Sequence, residues 1–293
     1  MAPGFRDQVS QLREQVIKEA LRFLNLSNDT LSGKLIGGAL SSPANRLAEL
    51  LESFDQLVAR SGLHEASQRI LDRFVRYFEV EGIDQVPTNG PLLIASNHPG
   101  MVDGLLVAAS LPRPDLKIVA SGMPLFANLK AMKDHFILVS RNTFERLTVV
   151  RSVIRHLQDG GAVLIFPRGL VEPDPQVLSG ATESLTRWSP SLEVMLRRVP
   201  QAHLSVTIIR GVLSSWSLRN PLTRLRKSLH EKQVIAEITQ AVQHLFLPRT
   251  LAIAPKLDYA PPMTFNDILE SDQDANPMDV IRQIAAQLID NRT

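Results

Sequence analysis

The spacing of apolar residues predicts a helical first part of the chain. From residue 6 to about residue 78, apolar side chains recur every three or four positions, the period of one helix face. Three stripes follow one another: Val9 to Leu24, Leu47 to Val58 and Ile70 to Phe78. The segment NLSNDTLSGKLIGGALSSP between the first two predicts a loop or hinge, Pro43 suits the start of the second helix, and Gly62 suits its end. We therefore predict an N-terminal helical subdomain over residues 1–78.

The remainder of the chain alternates short apolar runs with amphipathic segments. The runs predict strands at YFEVEGI, PLLIASN, KIVAS, FILVS, AVLIFP, HLSVTII and TLAIAP. Helical patterns lie at MVDGLLVAASL and FERLTVVRSVIRHLQDG, and again over residues 224–246 and 277–291. This alternation is typical of an α/β fold with a mixed, largely parallel sheet flanked by helices. We predict that this α/β domain spans residues 79–293.

Composition narrows the classes of partner and of chemistry. The 293 residues are 44% hydrophobic, and 32 basic against 30 acidic residues leave a net charge of +2. So small an excess argues against a general nucleic-acid binder. The chain has no cysteine, which excludes disulfides, thiolate zinc sites and a cysteine nucleophile.

Targeting signals and membrane spans are not expected from the pattern. No apolar window approaches the roughly 18–20 residues needed to cross a bilayer. The first thirty residues are interrupted by charges that a signal peptide would not carry: Arg6, Asp7, Arg13, Glu14, Lys18, Glu19 and Arg22. We expect a cytoplasmic protein that is soluble or bound peripherally to a membrane.

An ionisable pair interrupts two apolar runs in LLIASNHPGMVDGLLVAA. His98 follows a predicted buried strand and Asp103 comes five residues later, in or near the first turn of a helix. Ligands bind in open α/β sheets at such carboxyl ends of strands. A carboxylate that holds an imidazole lets the second ring nitrogen take a proton from a hydroxyl or water. The alternative is a histidine that caps a helix beside an aspartate at the positive end of that helix. The spacing by itself arises often by chance.

Four blocks in order resemble the glycerolipid acyltransferases, the glycerol-3-phosphate and lysophosphatidate acyltransferases. The first is IASNHPGMVD, which contains His98 and Asp103, and the second is FILVSR, which ends at Arg141. The third is LQDGGAVLIFPRG and the fourth, matched loosely, is LSVTIIRG. Together they cover roughly residues 79–212. In the third block the family usually has glutamate where this chain has Arg168, so the identity of the acceptor stays open, and Glu172 is an alternative source of a carboxylate.

The resemblance implies roles for the matched residues. His98 would remove the proton of the acceptor hydroxyl, and Asp103 would orient His98. Arg141, Arg168 and Gly169 would bind the acceptor, since an arginine suits a phosphate. The alternatives are solvated surface arginines and a glycine in a turn without a ligand. From its position at the helix start, the amide of Gly100 is a candidate for stabilising the tetrahedral oxyanion.

Other catalytic patterns do not occur in the sequence. There is no Gly-x-Ser-x-Gly elbow, no Gly-x₄-Gly-Lys-Ser/Thr loop and no His-Glu-x₂-His helix. The remaining histidines lack ligand spacing and read as surface or capping groups: residues 64, 135, 156, 203, 230 and 244. We expect no metal and no cofactor, with acyl-CoA or acyl carrier protein as co-substrate. Direct transfer in a ternary complex is then the simplest mechanism.

We therefore expect an acyltransferase of phospholipid synthesis. It would move a fatty acyl group to a hydroxyl of lysophosphatidate or a related glycerol phosphate. The alternatives are a non-catalytic lipid-binding protein on a decayed acyltransferase fold and a thioesterase that uses the same His–Asp pair. The basic segment RNPLTRLRK suits anionic lipid headgroups, an acidic carrier protein, the phosphates of coenzyme A, or plain solvation: Arg219, Arg224, Arg226 and Lys227.

Overall fold

Strands within the described part of the chain form one seven-stranded sheet in the order β1-β7-β6-β2-β5-β3-β4. The computed structural model describes residues 3–23, 27, 29–139, 143–225, 228–248, 250, 253–272 and 274–291. The strands are β1 Glu79–Glu81, β2 Leu92–Ser96, β3 Lys117–Ser121, β4 Phe136–Val139, β5 Ala162–Ile165, β6 His203–Arg210 and β7 Lys256–Tyr259. Five neighbours from β6 to β4 run parallel, and β7 is antiparallel to β6 while β1 is parallel to β7. The predicted mixed, largely parallel sheet is confirmed.

Helices precede the sheet, connect its strands and follow its last strand. They are α1 Pro3–Phe23, α2 Leu31–Leu71, α3 Asp103–Ser110, α4 Pro124–Ala127, α5 Thr143–Gln158, α6 Ala181–Leu185, α7 Ser191–Arg198, α8 Ser215–Leu218, α9 Leu229–Phe246, α10 Phe265–Ser271 and α11 Pro277–Asp290. Short 3₁₀ helices lie at Ile83–Gln85, Met132–His135 and Pro221–Leu225. None of the helices in the described ranges has both the length and the apolar composition that a membrane crossing requires.

The second helix differs from the sequence prediction at both ends. It begins at Leu31, where the Thr30 side chain accepts a hydrogen bond from the Gly33 amide, and Pro43 lies inside it. The Ser/Gly-rich segment is thus helical from residue 31, because this cap and the packing of the helix outweigh its loop-like composition. Gly62 has a φ of 77° and kinks the helix, which continues to Leu71.

The last predicted strand is displaced along the chain. Residues 253–255 of TLAIAP form no strand, and residues 251–252 lie outside the described residues. The strand instead covers Lys256–Tyr259. Its sequence KLDY contains two charged residues and is therefore not an apolar run. Their charges are matched by neighbours in the sheet: Lys256 pairs with Glu81 at 2.7 Å, and Asp258 pairs with Arg210.

Two apolar layers bury the sheet. Leu92 and Ile94 of β2 belong to the layer shared with α1, α2 and α3. Leu93 and Ala95 point to the opposite layer, shared with α5, α7 and α11. Every residue of β2 is buried, as expected for a central parallel strand covered on both faces. The N-terminal helices therefore pack on the same body as the sheet, and the boundary at residue 78 stays a prediction.

A buried carboxylate on α2 fixes the N-terminal helices to the sheet. Asp55 is 4% exposed and accepts hydrogen bonds from three successive amides. Its Oδ2 accepts from Lys130 N at 2.9 Å, and its Oδ1 accepts from Ala131 N at 3.0 Å and from Met132 N at 2.8 Å. These amides begin the 3₁₀ helix that leads into β4, so one side chain couples α2 to the β3–β4 connection.

Replacement of this carboxylate should destabilise the whole protein. Asp55→Ala leaves three amides without their acceptor, and we expect the free energy of unfolding to fall by about 3 kcal/mol. Urea denaturation followed by circular dichroism measures the change. Asp159→Ala, at an exposed aspartate, is the control and should change stability by less than about 0.5 kcal/mol. Equal effects of the two substitutions would contradict the role of Asp55.

Candidate active site

The site lies at the carboxyl end of β2, where the chain leaves the sheet. The connection from β2 leads towards β3, whereas that from β6 leads to β7 on the other side, so a crevice opens between β2 and β6. Asn97 completes the ladder with its side chain: Nδ2 donates to Ile209 O at 2.9 Å and Oδ1 accepts from Ile209 N at 2.7 Å. Because this amide replaces a backbone pair, the main chain can turn away at His98.

The predicted pair is in contact at this point. His98 Nδ1 lies 2.8 Å from Asp103 Oδ2, and the same oxygen accepts from Gly100 N at 2.8 Å. Asp103 is fully buried at the start of α3, while the His98 side chain is 29% exposed. The imidazole stacks on Phe166, with ring centroids 4.5 Å apart. The geometry leaves Nε2 as the ring nitrogen available to a ligand.

The pKa of Asp103 depends on its burial and on its contact with His98. Burial raises the pKa of Asp103 above its ordinary value, and the charge of Asp174 raises it further. The hydrogen bond and the charge of His98 oppose that rise, as does the Gly100 amide. An ionised Asp103 holds the proton of His98 on Nδ1 and stabilises the imidazolium that forms when Nε2 accepts a proton.

Close packing explains the glycine in this loop. A Cβ on Gly100 would lie 3.0 Å from Val212 Cγ2, which is tighter than ordinary contact. The loop therefore packs closely on the segment after β6, while the Gly100 amide donates to Asp103. That hydrogen bond also corrects an expectation, because an amide donated to Asp103 is not available to stabilise an oxyanion.

Glu172 clamps the backbone of His98. Its Oε2 accepts from His98 N at 3.1 Å, and its own amide donates to His98 O at 2.8 Å. Its Oε1 accepts from Ser184 Oγ at 2.5 Å and from Trp188 Nε1 at 3.0 Å. Burial raises the pKa of Glu172, and these bonds together with the Arg168 charge lower it. The side chain thus points inward and holds the histidine, rather than facing an acceptor.

Asp174 performs a similar task for the segment after β6. Its Oδ1 accepts from Gly211 N at 2.9 Å and from Gln176 N at 3.0 Å. Its Oδ2 accepts from Val212 N at 2.9 Å and from Leu213 N at 3.0 Å. Burial raises the pKa of Asp174, and the four amides act against that rise. The connection after β5 is thereby fixed to the connection after β6.

The other predicted binding residues lie in the same region or outside the described residues. Arg168 follows β5 and Pro167, is half-buried, and donates to Val171 O. Gly169 is exposed and has a φ of 69°, a conformation that favours glycine. Arg141 lies outside the described residues. The structure therefore brings together His98, Asp103, Gly100 and the Arg168 loop.

Helix α9 supplies contacts that the sequence pattern did not reveal. Gln233 Nε2 donates to Pro99 O at 2.9 Å and to Glu172 O at 2.7 Å, so it joins the two loops. One turn along, Glu237 is 7% exposed. Burial raises the pKa of Glu237 well above its ordinary value, the charges of Asp103 and Asp174 raise it further, and a hydrogen bond from Gln233 lowers it.

A weak signal for these residues was present in the sequence. Gln233, Glu237, Gln240 and His244 recur at spacings of three and four, the period of a single helix face. Polar residues with that spacing ordinarily mark a solvated face, and the structure shows that this face is buried. Only the packing of α9 on the site distinguishes the two cases.

Comparisons with known proteins place the site in a recognised segment. Residues 77–192 match the model of the family described as Acyltransferase, and this segment contains His98, Asp103, Arg168 and Gly169. No curated protein sequence matches the chain. A solved structure described as the 1-acyl-sn-glycerophosphate (LPA) acyltransferase PlsC from Thermotoga maritima aligns at 13% identity, over 97% of this chain and 96% of that chain, with a TM-score of 0.43. A likeness of that degree carries no conclusion about this chain.

The raised pKa of Glu237 predicts a pH-dependent difference in stability from Glu237→Gln. In the unfolded chain the carboxyl ionises near about pH 4.3, whereas the folded protein keeps the proton to higher pH. Its contribution to stability is complete below the unfolded pKa and is lost as pH rises through the folded pKa. Between the unfolded and the folded pKa, the free energy of unfolding of the wild type should fall by about 1.4 kcal/mol per pH unit relative to the variant.

Urea denaturation of both proteins between about pH 5 and about pH 7 measures this difference. The other ionisable groups are common to the two proteins, so their contributions largely cancel. A stability difference that stays constant over this range would show that Glu237 ionises at an ordinary pKa in the folded protein.

Proposed function

We propose that this chain, whose residues 77–192 match the acyltransferase family model, is an acyltransferase that moves a fatty acyl group from a thioester to a hydroxyl of lysophosphatidate or a related glycerol phosphate. The observation that carries the proposal is the contact of 2.8 Å between His98 and Asp103 at the end of β2. A histidine held in this way by a carboxylate is suited to remove a proton from a hydroxyl. The resemblance of the four sequence blocks supports the class of acceptor.

The proposed chemistry is a direct transfer. The acceptor hydroxyl attacks the thioester carbonyl while His98 Nε2 takes its proton, and a C–O bond forms in a tetrahedral intermediate. The C–S bond then breaks, and the imidazolium returns the proton to the departing thiolate. Asp103 stabilises the imidazolium between these two events. No acyl-enzyme is needed in this scheme, and with no cysteine in the chain a thiol nucleophile is excluded.

The acceptor phosphate is assigned to Arg168 in this proposal. The guanidinium is half-buried, and its buried Nε donates to no partner among the described residues. A partly desolvated arginine suits a phosphate oxygen. Arg141 is proposed as a second phosphate ligand from its sequence block alone. The positive charge of Arg168 replaces the glutamate usual in the family, so we assign it to the phosphate rather than to the acceptor hydroxyl.

Peripheral contact with a membrane is proposed for the segment around α8. Trp216 is 55% exposed and Leu222 is 52% exposed, and the exposed Arg219 and Arg224 lie in the same segment. Exposed apolar side chains beside arginines suit an anionic lipid surface, from which a long-chain lysolipid would be drawn. Arg226 and Lys227 of the basic segment lie outside the described residues. The donor is proposed as acyl-CoA, with acyl carrier protein as the alternative.

The absence of cysteine makes the function directly testable, because a thiol reagent reports coenzyme A without protein background. We expect release of coenzyme A from palmitoyl-CoA to depend on lysophosphatidate, with less or none for glycerol 3-phosphate. His98→Ala should lower the rate by about 10²–10⁴. His230→Ala, at an exposed histidine on α9, is the matched control and should leave the rate unchanged.

Each other outcome identifies an alternative. Release without acceptor that His98→Ala abolishes would establish a thioesterase. Release of the carrier only from acyl carrier protein would revise the donor. No release from either thioester by a folded protein would refute both the transferase and the thioesterase and leave the non-catalytic alternative.

The assignment of Arg168 predicts a selective loss of acceptor binding. Arg168→Gln should raise the KM for lysophosphatidate about tenfold and change kcat little, because the phosphate contact is made before and during the reaction. Arg155→Gln, on the exposed last turn of α5 before β5, lies at the opposite edge of the sheet and is the control. An unchanged KM, or an equal effect of the two substitutions, would contradict the assignment.

A further inference from the structure

A small cavity lies between the loop that follows His98 and helix α9. Its volume is about 20 Å³, which is room for about one water molecule. The loop side is formed by Gly100, Met101 and Val102, and α9 contributes Glu237, Gln240, Ala241 and His244. The cavity is therefore lined on one side by the loop that His98 and Asp103 bracket.

Three polar side chains from α9 meet this cavity, and two of them retain unused hydrogen-bonding atoms. Gln240 is satisfied, since its Nε2 donates to Val212 O at 2.7 Å and its Oε1 accepts from Ser214 N at 2.8 Å. Glu237 Oε1 and both ring nitrogens of His244 are buried and have no hydrogen-bond partner among the described residues. A buried polar atom without a partner is costly because it loses its hydrogen bonds to water, so a ligand that satisfies these atoms is favoured.

The catalytic pair has an unused atom close to the same place. Asp103 Oδ1 is buried and accepts no hydrogen bond from any residue within the described ranges. It lies 3.9 Å from the position of a Cβ placed on Gly100, and Gly100 lines the cavity. An acceptor on α3 thus lies close to Gly100, and Gly100 lines the same cavity as the Glu237 carboxyl on α9.

The charge states of these side chains decide which of them can donate a hydrogen bond in the cavity. The ionisable groups that face Glu237 are Asp103 on α3, Asp174 after β5 and His244 on α9. Burial and the two aspartates raise the pKa of Glu237, which favours the protonated form that can donate. Burial lowers the pKa of His244, so its ring is neutral and offers an acceptor nitrogen. The carboxylate of Asp103, which faces His98, is the remaining acceptor.

We propose that Glu237 is a positioning residue for the His98–Asp103 pair and acts, as a neutral carboxylic acid, through one water molecule bound in this cavity. The water accepts from the Glu237 hydroxyl and donates to Asp103 Oδ1 and to a ring nitrogen of His244. It thereby makes three hydrogen bonds, the usual number for a buried water. Asp103 then has a partner on each oxygen, and its plane is fixed relative to the imidazole. The catalytic consequence rests on the proposed function, but the coupling between Glu237 and His98 does not.

The pKa of His98 reports the coupling, and its direction distinguishes the mechanisms. A hydrogen bond to Asp103 disperses the negative charge that the imidazole experiences. Removal of the donor therefore strengthens the attraction for the imidazolium and raises the pKa of His98. If Glu237 were ionised instead, its removal would delete a negative charge and lower the pKa of His98.

We would measure this pKa by NMR titration of histidine-labelled protein, with His98→Ala identifying the signal among seven histidines. Glu237→Leu fills the space without a donor, and the pKa of His98 should rise by roughly half a pH unit. Glu237→Gln retains an N–H donor and should restore most of the wild-type value. A fall in both variants, or no shift in Glu237→Leu, would overturn the proposal.

Controls separate this effect from a loss of packing. Leu245→Ala removes a buried side chain from the same helix, away from the cavity lining, and should leave the His98 titration unchanged. Should Glu237→Leu fail to fold, Glu237→Met provides a second apolar variant. An equal shift in Leu245→Ala would assign the effect to α9 packing and overturn the role of Glu237.

Activity gives a second, independent measurement. In acceptor-dependent acyl transfer, kcat/KM of Glu237→Leu should fall roughly tenfold through kcat, and the acidic limb of its pH profile should move upward with the pKa of His98. Glu237→Gln should recover most of that loss. Since the titration needs no substrate, a wild-type protein without activity would refute the proposed function and still allow the coupling to be decided.

Discussion

The hydrogen bond between His98 Nδ1 and the buried Asp103 carboxylate imposes the main constraint on this structure. An ionised carboxylate removed from water costs several kcal/mol unless it is paired and hydrogen-bonded. Asp103 is fully buried, so the protein must supply an imidazole, the Gly100 amide and the start of a helix around it. Gly100, which supplies that amide, also packs closely on Val212, where a Cβ would lie 3.0 Å from Cγ2.

Two further buried carboxylates connect the loops that surround the pair. Glu172 binds the backbone of His98 after β2, and Asp174 binds four amides, three of them after β6. Both acids lie in the connection after β5. The three loops at this edge of the sheet are therefore linked through side chains rather than through strand pairing. Groups held in this way need little rearrangement during a reaction, which is the basis of electrostatic preorganisation.

The sequence predicted the elements whose signals are local. The strands β2, β3, β4, β5 and β6 are short apolar runs, and α5 and α11 have regular apolar stripes, so their positions follow from period alone. The sequence pattern did not predict the start of α2 or the position of β7. In α2 a polar, glycine-containing segment is helical, and in β7 the charges of Lys256 and Asp258 are neutralised by partners that are distant in sequence.

The same distinction applies to the candidate site, where local spacing predicts one part and tertiary packing decides the rest. His98 and Asp103 are five residues apart at the start of a helix, so backbone geometry alone brings them together, and the sequence determined their contact. The tertiary structure decided three further features. The Gly100 amide donates to Asp103, Glu172 points inward to His98, and α9 contributes Gln233 and Glu237. Gln233 bonds to Pro99, 134 residues away, and such contacts depend on burial and on the packing of one layer against another. No spacing within a single element encodes them.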